Sequence, residues 1–263
     1  MAANSFNPNF RRDILPGMYV YILTDKGETS EGIVAAVLGI AEHHSDGIKV
    51  RLQSGVVGRT KQIQIPKDNA LKGIRAHQQL EVDLKVALTY DENDNLEYKG
   101  SFAFDSDHPE HPKKFLQHSV LKTIQAFANA EGGRLYIGIH DKTHEPLGLL
   151  GDYSFLPDGK RDADGFEIFL RGFLKGKFLI GTEIFNSVKI VVFQYKSQDV
   201  CFIDVEPSDM AFVIKKDVSD GGGFEFHVRE GGNSPPKTIT EFLNYWPNHL
   251  EKMRKKKLEI WSQ

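Results

Sequence analysis

The sequence predicts a chain in two parts: a small SH3-like β-barrel and then a larger α/β or α+β domain on a mixed sheet. Short β-type runs punctuated by glycine fill residues 17–65, at a spacing typical of a small barrel. After residue 80, strand-like and helix-like runs alternate, as in a sheet covered by helices. The 263 residues accommodate one small and one medium domain.

The barrel is predicted from turn signals that separate its β-type runs. The triplets DKG, SDG and QSG divide four runs, at residues 18–23, 32–38, 47–52 and 56–65. We therefore assign the barrel to residues 16–66. The polar residues 1–15 before it are expected to form a flexible arm, and the polar residues 67–79 after it a linker.

The second domain is assigned to residues 80–263, and its elements follow from hydrophobic periodicity. Residues 114–130 carry apolar side chains at helical spacing, which predicts one buried face that includes Phe115, Val120, Ile124 and Phe127. Gly132 and Gly133 suit the end of that helix. The other predicted helices are residues 162–178 and 236–257, and the predicted strands are residues 95–104, 134–139, 182–205, 211–216 and 224–229.

Composition restricts the possible functions. Cys201 is the lone cysteine, which excludes a disulfide within the chain and a cysteine-rich zinc site. No apolar run is long enough for a membrane span, and the first residues lack the apolar core of a signal peptide, so we expect a cytoplasmic protein with no membrane contact. The net charge of −3 means that any nucleic-acid surface must be a local basic patch.

Charged residues near the first strand of the second domain indicate a catalytic site. Glu97 and Lys99 lie two apart on a strand, so both side chains project from one face. Asp141 follows a buried strand, and Glu92 lies in the turn before Glu97. Three carboxylates can bind Mg²⁺ or Mn²⁺, and a lysine can stabilise a developing phosphorane. The alternative is a surface ion pair at Glu97 and Lys99, with Asp141 as an ordinary turn residue.

Several segments together resemble the Schlafen or AlbA_2 core, over about residues 88–246. They are EYK at 97–99, AFAN and GG within 126–133, IGIHD at 137–141 and HVREGGNS at 227–234. The resemblance implies an α+β core with a mixed sheet. It also implies a divalent-metal-dependent endoribonuclease acting on structured RNA such as tRNA or rRNA, with Glu92, Glu97 and Asp141 as catalytic and metal-binding residues and Lys99 assisting.

Two departures from the family pattern keep an alternative open. Tyr98 replaces the usual phenylalanine, and His140 stands where an acid is often found. Many bacterial members of the family are treated as nucleic-acid-binding regulators without nuclease activity. The chain is therefore expected to be either an RNA-cutting enzyme or a non-catalytic DNA- or RNA-binding protein, and a homodimer or partner subunit is expected to complete its groove.

The N-terminal module resembles the small YwbE-like family. The resemblance rests on two segments, GIKVRL at 47–52 and GVVGR at 55–59. The side chains of Lys49 and Arg51 project from the same face of one strand. Together with other basic residues they are predicted to form a basic stripe that suits a phosphate backbone. The residues predicted to bind nucleic acid are Lys49, Arg51, Arg59, Lys61, Arg229, Lys255 and Lys256.

Overall fold

The computed structural model describes residues 7–38, 41–64 and 69–261, which form two compact units. The first unit comprises Met1–Tyr90, Tyr153–Glu167 and Val192–Val200, and the second comprises Asp91–Asp152, Ile168–Val191 and Cys201–Gln263. A closed four-stranded barrel belongs to the first unit, and most of a four-stranded mixed sheet belongs to the second. The predicted α+β class with a small N-terminal barrel is confirmed.

Four antiparallel strands close the barrel, because β1 pairs with both β2 and β4. Alternate side chains of β3 point inward, so Val50 and Leu52 are buried whereas Lys49 and Arg51 face outward. Apolar side chains from all sides fill the interior. The strands are β1 Tyr19–Leu23, β2 Thr29–Val37, β3 Lys49–Leu52 and β4 Val57–Gln64.

Gly47, just before β3, occupies a position that admits only glycine. Its φ is +95°, and a Cβ there would lie 1.8 Å from the carbonyl oxygen of Thr60 on β4. Any side chain would have to displace the neighbouring strand. The fold of the barrel therefore requires glycine at this position of the GIKVRL segment.

The segment before β1 differs from the expected flexible arm. Ile14 is fully buried in the barrel core, and Arg11 lies in a short 3-10 helix, Arg11–Asp13. The Nη2 of Arg11 donates to both carboxylate oxygens of Asp199, at 2.6 and 2.7 Å. The Tyr153 hydroxyl donates to the same carboxylate at 2.7 Å. The partners come from distant parts of the sequence, so local composition could not indicate them. Residues 1–6 of the predicted arm lie outside the described residues.

The predicted linker, residues 67–79, is mostly helical. Helix α1, Asn69–Ala87, covers it from residue 69 onward and continues into the segment assigned to the second domain. Leu84 is fully buried, and the first unit extends to Tyr90. Many polar residues give this helix a linker-like composition. Residues 65–68 lie outside the described part of the chain.

The sheet has the order β5-β6-β8-β7. β5 pairs with β6 in parallel and β6 with β8 antiparallel, which makes the sheet mixed. Its strands are β5 Leu96–Lys99, β6 Gly133–Ile137, β7 Val188–Tyr195 and β8 Gln198–Val205. The remaining elements are a short pair, β9 Ile214–Lys215 and β10 Phe224–Glu225, and the helices α2 Lys114–Ala128, α3 Leu150–Tyr153, α4 Ala163–Lys177 and α5 Ile239–Trp261.

Helix α2 matches its prediction except at its first turn. Val120, Ile124 and Phe127 are fully buried, as the periodicity predicts. Phe115, however, is 65% exposed, so its predicted place in the core is wrong. It precedes the stretch of α2 that packs into the core, where the buried residues begin at Val120.

Candidate functional site

The centre of the candidate site is the pair Glu97 and Lys99 on β5. Strand alternation places both side chains on one face, and Lys99 Nζ forms an ion pair with Glu97 Oε1. The Glu97 side chain is 9% exposed and that of Lys99 is 20% exposed. The pair is therefore not the exposed surface pair that the alternative interpretation required.

Glu92 joins this pair from the preceding turn. Its Oε1 accepts the backbone N–H of Tyr98 at 2.9 Å and lies 3.9 Å from Lys99 Nζ. Burial raises the pKa of Glu92, and the negative charges of Glu97 and Asp141 act in the same direction, whereas the Tyr98 N–H and Lys99 lower it. The ammonium of Lys99 thus lies near two carboxylates, one of which resists ionisation.

Asp141 is the more exposed member of the predicted set. It follows β6, its side chain is 54% exposed, and its Oδ1 lies 3.2 Å from His140 Nδ1. That ring nitrogen also lies 3.1 Å from the backbone nitrogen of Lys142. Within the predicted set, Asp141 is linked to Glu92, whose pKa its negative charge helps to raise. We call Glu92, Glu97, Lys99 and Asp141 the acid–lysine cluster.

Arg229 holds the cluster from inside the fold. Its side chain is only 2% exposed, and its Nη2 lies 2.7 Å from Glu97 Oε2. The same nitrogen donates to the Asn93 carbonyl at 2.6 Å, and the guanidinium stacks 5.0 Å from the centre of the Phe127 ring. This burial argues against the direct RNA contact predicted for Arg229. The side chain fixes Glu97 and the turn that carries Glu92.

The cluster in this arrangement does not fit a divalent cation. Glu97 is paired through one oxygen with Lys99 and through the other with Arg229, so the lysine stands where a metal would bridge Glu92 and Glu97. Within residues 7–38, 41–64 and 69–261, no group of three or more His, Cys, Asp or Glu side chains is arranged to hold a metal. The Mg²⁺ or Mn²⁺ site at Glu92, Glu97 and Asp141 stays a prediction.

The AFAN segment serves the architecture around the cluster. Asn129 is completely buried: its Nδ2 donates to the carbonyls of Phe212 and His227 at 2.9 and 3.1 Å, and its Oδ1 accepts the Phe212 N–H at 2.9 Å. Gln125, one helical turn earlier, accepts from the His227 backbone N–H and ring. These amides tie α2 to the segment that ends at Arg229, and sequence reasoning did not assign them a role.

A cavity of about 520 Å³ opens beside Lys99, and we call it the Lys99 cavity. Its wall includes Ser101, Phe115 and Asp152. The Asp152 carboxylate accepts the backbone N–H groups of residues 102–104 and the Ser101 hydroxyl at 2.7–3.0 Å, which fixes the loop after β5. The sequence signal for this cavity is weak, since Phe115 reads as a core residue. Lys99 is the cluster member that lines the cavity, which gives the cluster a route to a ligand.

The basic residues of the barrel lie outward, but each has a partner within the first unit. Lys49 Nζ lies 2.8 Å from Asp25, and Arg51 pairs with Asp164. Arg59 and Lys61 donate to the carbonyls of Gly47 and Asp46, at 3.1 and 2.8 Å. Cross-strand pairing of Lys49 with Arg59 puts both on one face, which is the predicted stripe. Its role in binding nucleic acid stays a prediction.

The basic residues near the end of α5 are also surface groups. Lys255 is paired with Glu251 at 2.8 Å and is well exposed. Lys256 lies outside the residues whose side chains the structure describes. Among the described helices, none combines the length and the apolar character needed to cross a membrane.

Comparisons with known proteins agree with both predicted modules. Residues 92–238, more than half of the chain, match the Schlafen, AlbA_2 family, and residues 7–63 match a family described as an uncharacterized conserved protein, DUF2196. No curated protein matches the chain.

Among solved structures, the chain is similar to the DIP2311 protein from Corynebacterium diphtheriae, with 20% identity and a TM-score of 0.41. That similarity covers 66% of this chain and 28% of the other, and it is too low to carry an argument about function. The family match covers the whole acid–lysine cluster together with Arg229 and suggests a nucleic-acid-related function. The chain belongs to the Schlafen, AlbA_2 family, and residues 7–63 ahead of that region are similar to the DUF2196 family.

Proposed function

We propose that this protein binds RNA and cuts it as an endoribonuclease at the acid–lysine cluster. The observation that carries the proposal is the position of Lys99, whose ammonium contacts two carboxylates and lines a cavity. Carboxylates with a raised pKa beside a cleft are typical of sites that transfer protons. The family match supports a nucleic acid as the substrate, and the geometry supports these groups as the ones that act on it.

The groups of the cluster have separate proposed roles. Cleavage of a phosphodiester builds negative charge on the phosphate oxygens, and a lysine beside them stabilises that charge. Glu92, with its raised pKa and a side chain 30% exposed, is the candidate general acid. As an RNA hydroxyl or water oxygen bonds to phosphorus, the bond from phosphorus to the leaving oxygen breaks and that oxygen takes the proton of Glu92. Glu97 and Arg229 act as positioning residues, because both are buried and hold Lys99 and the Glu92 turn. The negative charge of Asp141 helps to raise the pKa of Glu92.

No step in this proposal depends on a divalent ion. A metal that bound between Glu92 and Glu97 would first have to displace Lys99. The Mg²⁺ or Mn²⁺ predicted from the sequence is therefore tested separately from the site, by the metal dependence of cleavage. A homodimer or partner subunit that completes the groove also stays a proposal.

A second candidate function is RNA binding without cleavage. The ion pairs on both oxygens of Glu97 favour it, since a carboxylate so engaged stabilises the fold whether or not chemistry follows. In that case the family match would reflect the binding of RNA without its cleavage. The same experiment separates the two candidates.

The test is cleavage of end-labelled tRNA and single-stranded DNA by the purified chain in Mg²⁺, Mn²⁺ or EDTA. The variants are Glu92→Gln, Glu97→Ala and Asp141→Ala, and Glu81→Gln, which removes a surface ion pair with Lys85, is the control. We expect RNA cleavage by the wild type and the control, and strong loss in Glu92→Gln. Intact RNA in every lane, together with a salt-sensitive gel shift, would leave the binding protein as the function.

A further inference from the structure

A second cavity, of about 430 Å³, lies in the same unit and shares Phe115 with the Lys99 cavity. The first turn of α2, the end of α4 and the segment from β9 form its wall. Four lysines line it, and we call it the basic cavity: Lys114, Lys177, Lys215 and Lys216. Both volumes lie in the range of about 300–1,000 Å³ in which proteins hold small organic groups.

Two carboxylates in the basic cavity neutralise only part of this charge. Asp217 accepts from Lys177 Nζ at 2.6 Å, and Glu225 lies 3.4 Å from Lys216 Nζ and 3.1 Å from the ring of His118. Within the described part of the chain, Lys114 and Lys215 have no ion pair. Four lysines beside two acids leave an excess of positive charge, in a chain whose net charge is −3. A local excess of this kind attracts polyanions.

Phe115 lies on the border between the two cavities. Its ring lines both of them, and the residue is 65% exposed although it belongs to a helix whose other large apolar residues are mostly buried. Exposing an aromatic ring to water costs free energy in proportion to the apolar area left unburied. An exposed aromatic ring beside lysines is an arrangement that nucleic-acid-binding proteins use to stack a base while the cations bind phosphates.

We propose that a single-stranded RNA segment runs from Lys99 across the ring of Phe115 and into the basic cavity, where Lys114 and Lys215 bind its phosphates. The inference rests on the proposed function, because Lys99 marks where the strand is cut. It adds the form of the substrate. A base can stack on Phe115 only when one of its faces is free, and bases inside a duplex have both faces covered by their neighbours.

The test measures binding by fluorescence anisotropy, with a labelled single-stranded RNA oligonucleotide and with the duplex made from it. The variants are Phe115→Ala and the double change Lys114→Glu with Lys215→Glu. Matched controls are Leu243→Ala, an apolar residue 62% exposed on α5, and Lys189→Glu on β7, neither of which lines the two cavities. Thermal unfolding of each variant checks that the fold is intact.

We expect the single strand to bind more tightly than the duplex, and Phe115→Ala to weaken its binding about 5- to 150-fold, the range for loss of one stacked base. The lysine double change should also lower the slope of log affinity against log salt, by about 0.7 for each phosphate that the variant no longer neutralises. The controls should bind like the wild type.

Three outcomes would overturn parts of this account separately. If the wild type binds and cuts RNA but Phe115→Ala and the lysine variant behave like the controls, the track across Phe115 is wrong and the proposed function stands. Equal or tighter binding of the duplex would contradict the single-stranded substrate. No binding of any RNA by the wild type would overturn the proposed function itself.

Discussion

Arg229 shows how one buried side chain sets the geometry of the cluster. Its guanidinium touches the Glu97 carboxylate, the Asn93 carbonyl and the face of Phe127, so it joins β5, the turn before it and α2. Burying a charge is tolerable only when the charge is paired and hydrogen-bonded. Removing the guanidinium would leave Glu97 charged and buried beside Lys99 alone.

We therefore expect Arg229→Met to lower the free energy of unfolding by about 3–5 kcal/mol, the usual cost of breaking a buried ion pair from one side. The measurement is urea unfolding. Arg134→Met is the control, because Arg134 lies 3.9 Å from Asp204 in an exposed pair and should change stability by less than about 1 kcal/mol. Equal losses of stability in the two variants would contradict the role given to Arg229.

His227 makes a second residue-scale prediction, in pH. Burial lowers the pKa of His227 from 6.5 to about 4, and its Nδ1 donates to Gln125 Oε1. The unfolded chain thus binds a proton between pH 6.5 and 4 that the folded chain does not, so stability should fall as pH falls through this window.

The loss of stability assigned to His227 is at most about 3 kcal/mol. Unfolding should be measured across this pH range for the wild type, for His227→Asn, whose amide can replace the Nδ1 donor, and for the exposed His108→Asn. His227→Asn should flatten the pH dependence and His108→Asn should not. Parallel curves for the wild type and His227→Asn would contradict the shift.

Among the elements, α2 organises the site through its buried amides. Asn129 satisfies three backbone groups near β9 and β10, and the segment so fixed leads to Arg229. Shortening this side chain leaves the Phe212 N–H and the His227 carbonyl buried without that partner. We expect Asn129→Ala to lower the free energy of unfolding by at least about 2 kcal/mol, because an unsatisfied buried polar group costs about 1–3 kcal/mol.

Chemical denaturation of Asn129→Ala measures this cost. Asn248→Ala, an exposed asparagine on α5, provides the comparison and should change stability by less than about 0.5 kcal/mol. A loss of stability at Asn129 as small as that at Asn248 would mean that water or a shifted backbone replaces the amide.

At this scale one can also see what local sequence determines. The alternation of EYK and the periodicity of α2 predict β5, the shared face of Glu97 and Lys99, and the buried Val120 and Ile124. They cannot show that Lys99 lies between two carboxylates or that Arg229 is buried, because burial and side-chain pairing depend on how distant segments pack. For the same reason Phe115 reads as a core residue and α1 as a linker, since burial depends on which surfaces the other elements cover.

For the whole molecule, the question is how a chain of net charge −3 holds a polyanion. Attraction must come from local groups, and the barrel offers Lys49 and Lys61 on its outer surface, each tied weakly to one oxygen. If both bind phosphates of a single strand, the variant with Lys49→Ala and Lys61→Ala should lower the slope of log affinity against log salt by about 1.4. Salt titrations of RNA binding measure this slope, and the double variant Lys26→Ala with Lys189→Ala is the control. A slope unchanged from wild type would exclude Lys49 and Lys61 of the barrel from phosphate binding.

If the acid–lysine cluster cuts RNA, the single-turnover cleavage rate at saturating RNA depends on Lys99, and Lys99→Met measures that dependence. Lys85→Met, which removes an exposed lysine paired with Glu81, is the control. We predict a rate at least about 100-fold below wild type, as for loss of one group that stabilises transition-state charge, with the control unchanged. A Lys99→Met rate equal to that of the control would show that cleavage, if present, takes place elsewhere.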